Sequence, residues 1–130
     1  MLTGSCLCGA VTYEVDAGVE GVAHCHCATC RKAHGSIFSS IAAVPREAFR
    51  WTSGEDRLSN FESSPGKFRR FCSVCGSQIV AERTEKPMVM LRLGCLDSAI
   101  HPGRQVHIWR SDAANWYDPA VALPEKPEGF

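Results

Sequence analysis

The sequence has no excess of charge of either sign. Fourteen lysine and arginine residues balance fourteen aspartate and glutamate residues, so the formal net charge at pH 7 is zero. A strongly positive field is the usual electrostatic footprint of a protein that binds DNA or RNA. We therefore expect no nucleic-acid partner.

Long apolar runs and targeting signals are also missing. Residues 1–5 (MLTGS) are not basic, and no apolar stretch of signal-peptide length follows them. The 45% of hydrophobic and 22% of charged residues are ordinary for a folded protein and indicate neither disorder nor a membrane span. We expect a cytoplasmic protein with no membrane partner, folded as one domain over residues 1–130.

Helical patterns are scarce, whereas short extended runs are frequent. Val11, Tyr13 and Val15 alternate with polar residues, which predicts a strand with one buried face. Residues 45–49 have room for one helical turn that begins with proline. Further strands, separated by glycine and proline turns, are predicted at residues 36–44, 57–62, 67–72, 78–82, 88–93 and 106–109. We expect a mainly β fold of several short antiparallel sheets with little helix, followed by an irregular proline-containing tail.

Cysteine, by contrast, is abundant, since the chain has eight. Seven of them form three close groups: Cys6 and Cys8; Cys25, Cys27 and Cys30; Cys72 and Cys75. Disulfides are rare in a reducing compartment, so such spacing favours metal sites. Zinc prefers four tetrahedral ligands in structural sites, often from two short pairs far apart in sequence. The first and last pairs together therefore predict a structural zinc site.

The three remaining grouped cysteines predict a second kind of zinc site. Cys25, Cys27 and Cys30 would leave one coordination position free for water or substrate, which is typical of catalytic zinc. The alternative is a closed site completed by Cys95 or by a histidine. Alternation along an extended segment places His24 and His26 on the face opposite to the cysteines, which argues against histidine ligands. No helix is predicted after either Cys-x-x-Cys pair, and this disfavours a redox dithiol.

Basic residues close to the cysteines are candidates for binding a substrate. Arg31 and Lys32 follow the three-cysteine group directly, where they could stabilise zinc-bound thiolates or hold a substrate carboxylate. Exposure to solvent is an equally good interpretation of this pair, and the same ambiguity applies to Arg69 and Arg70. Cys95 is most simply a buried, unliganded cysteine.

Three segments resemble the glutathione-dependent formaldehyde-activating enzyme family: residues 4–9 (GSCLCG), 25–32 (CHCATCRK) and 71–77 (FCSVCGS). Residues 94–97 (GCLD) and 107–109 (HIW) match the family pattern as well. The resemblance implies a tent-like β fold stapled by zinc. It also implies a structural zinc on the four-cysteine group and a catalytic zinc on Cys25, Cys27 and Cys30. Because the second group lacks a fourth partner, we expect its zinc to be labile.

The leading functional hypothesis is a carbon–sulfur lyase working in the direction of addition. Zinc would lower the pKa of glutathione or a similar thiol for attack on formaldehyde or another small aldehyde. Phe38 or Trp109 would exclude water. The alternatives are a non-catalytic zinc module that binds another protein and a zinc hydrolase, which three electron-donating thiolates disfavour. Self-association is left open.

Overall fold

The structure, a computed structural model, describes residues 1–129, so the last residue of the predicted domain lies outside it. The expected mainly β architecture with little helix is confirmed. The strands are β1 (Leu2–Ser5), β2 (Thr12–Val15), β3 (Gly21–Cys25), β4 (Ser39–Pro45), β5 (Phe49–Ser53), β6 (Leu58–Ser64), β7 (Lys67–Cys72), β8 (Gln78–Arg83), β9 (Met88–Arg92) and β10 (Arg104–Ile108). One α-helix, α1, spans Ala28–His34.

The strands form two sheets of unequal size. The smaller sheet has the order β1-β2-β5, and the larger has the order β10-β3-β4-β9-β8-β7-β6. Neighbouring strands are antiparallel with one exception, since β10 pairs with β3 in parallel. The parallel pair brings the chain's last strand beside the strand that ends at Cys25.

The two faces of the larger sheet have different roles. Val44, Val80, Val89 and Leu91 are fully buried in a hydrophobic core, to which the smaller sheet contributes residues such as Tyr13. Side chains alternate along each strand, so the residues between them project from the opposite face. The small sheet therefore covers one face, and the other is available for different chemistry.

Cys25, Arg69 and Arg92 share that other face. Opposed residues in antiparallel strands project to the same side. Arg69 lies opposite Ala81, and Ala81 lies opposite Met90, two residues before Arg92. Arg92 in turn lies opposite Ile41, and Ile41 lies opposite Ala23, two residues before Cys25. The register thus places two arginines of distant strands on the face that carries a cysteine of the three-cysteine group.

One expectation from the sequence is wrong: a helix does follow a Cys-x-x-Cys pair. Cys27 is the N-cap of α1, and its sulfur accepts a hydrogen bond from the Cys30 backbone N–H. Gly35 ends the helix in the left-handed conformation. The sequence gives little sign of α1 because seven residues show hardly two turns of periodicity and cysteine is not a preferred N-cap.

Most strands agree closely with their predicted positions, and the predicted helical turn is a 3₁₀ turn over Arg46–Ala48. The tail beyond Asp112 has neither helix nor strand as far as residue 129. Within residues 1–129 no helix combines the length and apolar character needed to cross a bilayer.

Gly54 fixes the turn after β5 against the loop that follows Cys8. Its φ is +70°, and an added Cβ would lie 2.0 Å from the carbonyl oxygen of Ala10. Gly35 has a similar φ of +57° but open space around it. We expect Gly35→Ala to cost about 1 kcal/mol of unfolding free energy and Gly54→Ala clearly more, since backbone must also move. Urea denaturation measures both, and equal losses would contradict the described contact.

Candidate metal centres

Two pairs of cysteines distant in sequence meet beside the smaller sheet. Cys6 and Cys8 lie in the turn after β1, Cys72 ends β7, and Cys75 follows in the next turn. The Cys6 and Cys8 sulfurs are 3.6 Å apart, and those of Cys8 and Cys72 are 3.9 Å apart. Sulfurs placed tetrahedrally at about 2.3 Å from zinc are about 3.8 Å from one another. The four-cysteine group therefore fits zinc, and its spacings are far too long for disulfides.

Hydrogen-bond donors point at three of the four sulfurs, those of Cys6, Cys72 and Cys75. The N–H of Val11 donates to Cys6 Sγ at 3.3 Å, and the N–H of Val74 donates to Cys72 Sγ at 3.4 Å. Hydrogen bonds from the hydroxyl and backbone N–H of Ser77 lower the pKa of Cys75 to about 5. Zinc binds thiolates rather than thiols, so these donors favour metal binding.

The second group lies where β3 passes into α1. Cys25 ends β3, Cys27 caps the helix, and Cys30 lies in its first turn. Each of the three sulfurs lies within 4.8 Å of the other two. Cys25 and Cys30 are buried, whereas Cys27 is partly exposed. The unexpected helix is therefore what brings Cys30 back to the other two sulfurs, and only Cys27 opens the group to solvent.

The thiols of Cys25 and Cys27 differ in acidity. Burial opposes ionisation of Cys27, but the Cys30 backbone N–H, the neighbouring thiols and Arg69 outweigh it and lower the Cys27 pKa. Burial and its two neighbours raise the pKa of Cys25 to about 12. A divalent cation would stabilise all three sulfurs as thiolates.

No fourth metal ligand completes this group within residues 1–129. His26 Nε2 lies 2.9 Å from Nδ1 of His107, and His24 Nδ1 lies 2.8 Å from Ser40 Oγ. Both histidines pack against Phe38 rather than joining the sulfurs. Cys95 donates its thiol hydrogen to the carbonyl of Gln78 at 3.3 Å. Three protein ligands suit a zinc site with one open position.

A cationic groove opens beside Cys27. We use this name for the cavity of about 320 Å³ whose wall includes Cys27, Lys67, Arg69, Arg83, Trp109 and Asp112. Three of these residues are cationic and one is acidic. A larger cavity of about 650 Å³ shares Thr29, Ser63 and Arg69 with the groove. A ligand at Cys27 would therefore lie in a positively charged recess.

The basic residues singled out from the sequence lie in different places. Lys32 lines the larger cavity and is exposed, whereas Arg31 donates from Nε to the His26 carbonyl at 3.3 Å. Arg69 is buried, with Nη2 3.9 Å from Cys30 Sγ. Arg70 pairs instead with Glu82 on the other side of β7. Substrate binding by Arg31 and Lys32 stays a prediction.

Sequence reasoning did not single out three basic residues near the cysteines. Lys67 and Arg83 line the cationic groove, and Arg92 is buried on the same sheet face as Cys25. One signal was available, because Lys67 and Arg69 are two apart in a predicted strand and therefore share a face. Nothing in the sequence indicates the neighbours of Arg83 and Arg92.

The two groups should differ in what zinc does for the fold. We expect two zinc ions per wild-type chain and one in Cys27→Ser, which keeps its fold because α1 and β3 remain packed. Cys72→Ser removes the link between β1 and β7, and we expect its thermal unfolding to shift steeply downwards. Cys95→Ser is the control and should retain both ions. Metal content and thermal unfolding test this, and an unfolded Cys27→Ser would contradict it.

The comparisons with known proteins agree with the chemistry of these groups. Residues 1–112 match the family described as glutathione-dependent formaldehyde-activating enzyme. Two proteins that carry the family's name, from Colletotrichum graminicola and Penicillium rubens, are each 32% identical over 123 residues. Each alignment covers 90% of this chain and 56% of the relative, so the chain spans about half the length of these curated relatives.

The fold has a solved counterpart. A crystal structure of a Rhodobacter sphaeroides protein is similar, with a TM-score of 0.64 at 23% identity, over 79% of this chain and 98% of that one. This likeness shows the fold alone, whereas the sequence match covers both cysteine groups. This chain belongs to the glutathione-dependent formaldehyde-activating enzyme family.

Proposed function

We propose that this chain is a zinc enzyme, a carbon–sulfur lyase that adds glutathione or a similar thiol to formaldehyde or another small aldehyde. The observation that carries the proposal is the three-cysteine group, in which Cys27 is partly exposed at the cationic groove. The four-cysteine group supplies a complete ligand set, so it serves the fold. The three-cysteine group offers an open position, and it opens onto a space where a substrate can bind.

The groove favours a thiol that carries negative charge. Glutathione has two carboxylates besides its thiol, and the cations Lys67, Arg69 and Arg83 line the space next to Cys27. Carboxylates bind arginine in a bidentate manner that fixes orientation as well as position. These side chains would hold the thiol substrate with its sulfur towards Cys27, while Lys32 in the larger cavity is placed to meet an extended ligand.

A zinc ion held by Cys25, Cys27 and Cys30 would supply one coordination position at which a thiol's pKa falls. Trp109 forms part of the groove wall, although its side chain is 61% exposed. Its backbone adopts a left-handed φ of 57°, an unfavourable conformation for tryptophan. Phe38 packs on the histidines instead, so of the two aromatics we assign exclusion of water to Trp109.

The addition step also needs a proton. The thiolate sulfur forms a bond to the aldehyde carbon, the carbonyl π electrons move to oxygen, and that oxygen takes up a proton. Lys67 lies in the groove, where burial lowers its pKa and the charges of Arg69 and Arg92 lower it further. We assign Lys67 Nζ as the proton donor, because a lowered pKa makes an ammonium a stronger acid. A reducing cytoplasm would supply the free thiol.

Zinc-loaded protein should consume formaldehyde only when glutathione is present and should form S-hydroxymethylglutathione faster than the uncatalysed mixture. Cys27→Ser should lose this acceleration, and Cys95→Ser should keep it because Cys95 lies in neither group. Product formation can be followed by carbon-13 NMR with labelled formaldehyde. A wild-type protein with two zinc ions that gives no acceleration and binds no thiol would instead indicate a non-catalytic zinc module.

Lys67→Met should lower kcat about a hundredfold at neutral pH, a typical contribution for a general acid. Wild-type activity should fall as pH rises through the lowered Lys67 pKa, since the ammonium then loses its proton. That alkaline decline should vanish in the variant. Lys86→Met, which removes an exposed lysine outside the groove, is the matched control. An unchanged pH profile in Lys67→Met would exclude Lys67 as the proton donor.

A further inference from the structure

Two buried arginines lack acidic partners in the part of the chain that the structure describes. Arg69 of β7 is 3% exposed and Arg92 of β9 is 4% exposed. Neither forms an ion pair with a carboxylate in the described part of the chain. Nε and Nη1 of Arg69, and Nε and Nη2 of Arg92, have no hydrogen-bond partner there either. A buried guanidinium stays charged, so an unbalanced pair would be strongly destabilising.

The opposite face of the same strands shows how this fold balances other arginines. Glu82 is buried there and pairs with both Arg46 and Arg70. Arg70 is next to Arg69 in β7 and projects to the other side. An acidic partner is therefore available to the arginines of one face. Within residues 1–129 no buried acidic partner lies beside Arg69 and Arg92, and Asp112, which shares the groove wall with Arg69, is exposed and forms no ion pair with it.

The negative groups that face the two arginines are the sulfurs of the three-cysteine group. Arg69 Nη2 lies 3.9 Å from Cys30 Sγ, and Arg69 helps to lower the pKa of Cys27. Burial and the charge of Arg69 together lower the pKa of Arg92 to about 10, although the charges of Cys30, Cys25 and Cys27 act in the opposite direction. The same sulfurs that fit a zinc ion therefore also stabilise both guanidiniums.

The charge of such a centre depends on its fourth ligand. Zinc with three thiolates has one net negative charge, and a fourth thiolate raises this to two, whereas water or a neutral thiol leaves it at one. Two arginines match the centre with four thiolates. With a neutral fourth ligand, one positive charge stays unbalanced in a buried place, where charge interactions are strong.

We propose that Arg69 and Arg92 make the open position of the three-cysteine group selective for an anionic ligand, so that a thiol binds there as its thiolate in preference to a neutral ligand. The inference rests on the proposed function, because it concerns the same metal position. It adds that specificity comes from two residues on the same face of the sheet, in strands β7 and β9 on either side of β8, as well as from the groove. Neither residue has to touch the reacting atoms for this effect.

The test uses 2-mercaptoethanol, which has no carboxylate, because Arg69 also lines the cationic groove and could bind a carboxylate directly. Calorimetric titration of the zinc-loaded protein over a range of pH gives both affinity and proton release. We expect 2-mercaptoethanol to lose its thiol proton on binding to the wild type even at pH values well below its usual pKa. Arg69→Gln and Arg92→Gln should each raise the pH at which the bound thiol loses its proton by about one unit. Each should also weaken thiol binding about tenfold at neutral pH.

Three further variants separate charge from structure. Arg69→Lys and Arg92→Lys keep the positive charge and should restore most of the affinity. Arg70→Gln removes the same charge from the other face of β7 and should leave thiol ionisation unchanged. Zinc content and thermal unfolding are measured first. Loss of zinc from both glutamine variants would show that the arginines serve metal retention rather than ligand selectivity, and it would overturn the inference.

The outcomes distinguish this inference from the proposed function. If 2-mercaptoethanol loses its proton on the wild type only near its usual pKa, the inference is overturned, while glutathione binding and turnover would leave the proposed function intact. Unchanged pH dependence in zinc-loaded Arg69→Gln and Arg92→Gln would also overturn it. If no thiol binds the wild type at any pH, both proposals fail.

Discussion

The pairing of Cys6 and Cys8 with Cys72 and Cys75 is the constraint on which the rest of the structure depends. It joins the turn after β1 to the turn between β7 and β8, so it fixes the smaller sheet against the larger one. The hydrophobic core between them is built from both sheets and includes Cys6 and Cys72 themselves. In a chain of 130 residues, with limited apolar surface to bury, such a link contributes to folding directly.

With the smaller sheet held on one face, the other face of the larger sheet is left to the second group. Charge is divided between the faces accordingly, since Glu82 and its arginines lie on one side and Arg69 and Arg92 on the other. A face that buries two arginines without carboxylates needs another source of negative charge. The three sulfurs supply it, so the basic residues of the sheet and the cysteines at the start of α1 depend on one another.

The sequence allowed most of the strands and both cysteine groups to be predicted, because alternation and Cys-x-x-Cys spacing are local signals. Strands β1, β3 and β5 and helix α1 were missed. Five residues of β3 and seven of α1 are too short to show a clear period, and α1 starts at a cysteine. The cationic groove was out of reach for a different reason. Lys67 and Arg83 lie opposite each other in β7 and β8, whereas Trp109 follows β10 at the other edge of the sheet. Only the tertiary fold brings all three to Cys27.

All residues of the candidate site lie in the part of the chain that matches its longer relatives. Every residue assigned to metal binding, to the groove or to the arginine pair lies between Cys6 and Asp112, within the matched 1–112. The chain nevertheless spans only about half of the curated relatives it matches. The matched residues are therefore sufficient to place three sulfurs, two buried arginines and a cationic groove together.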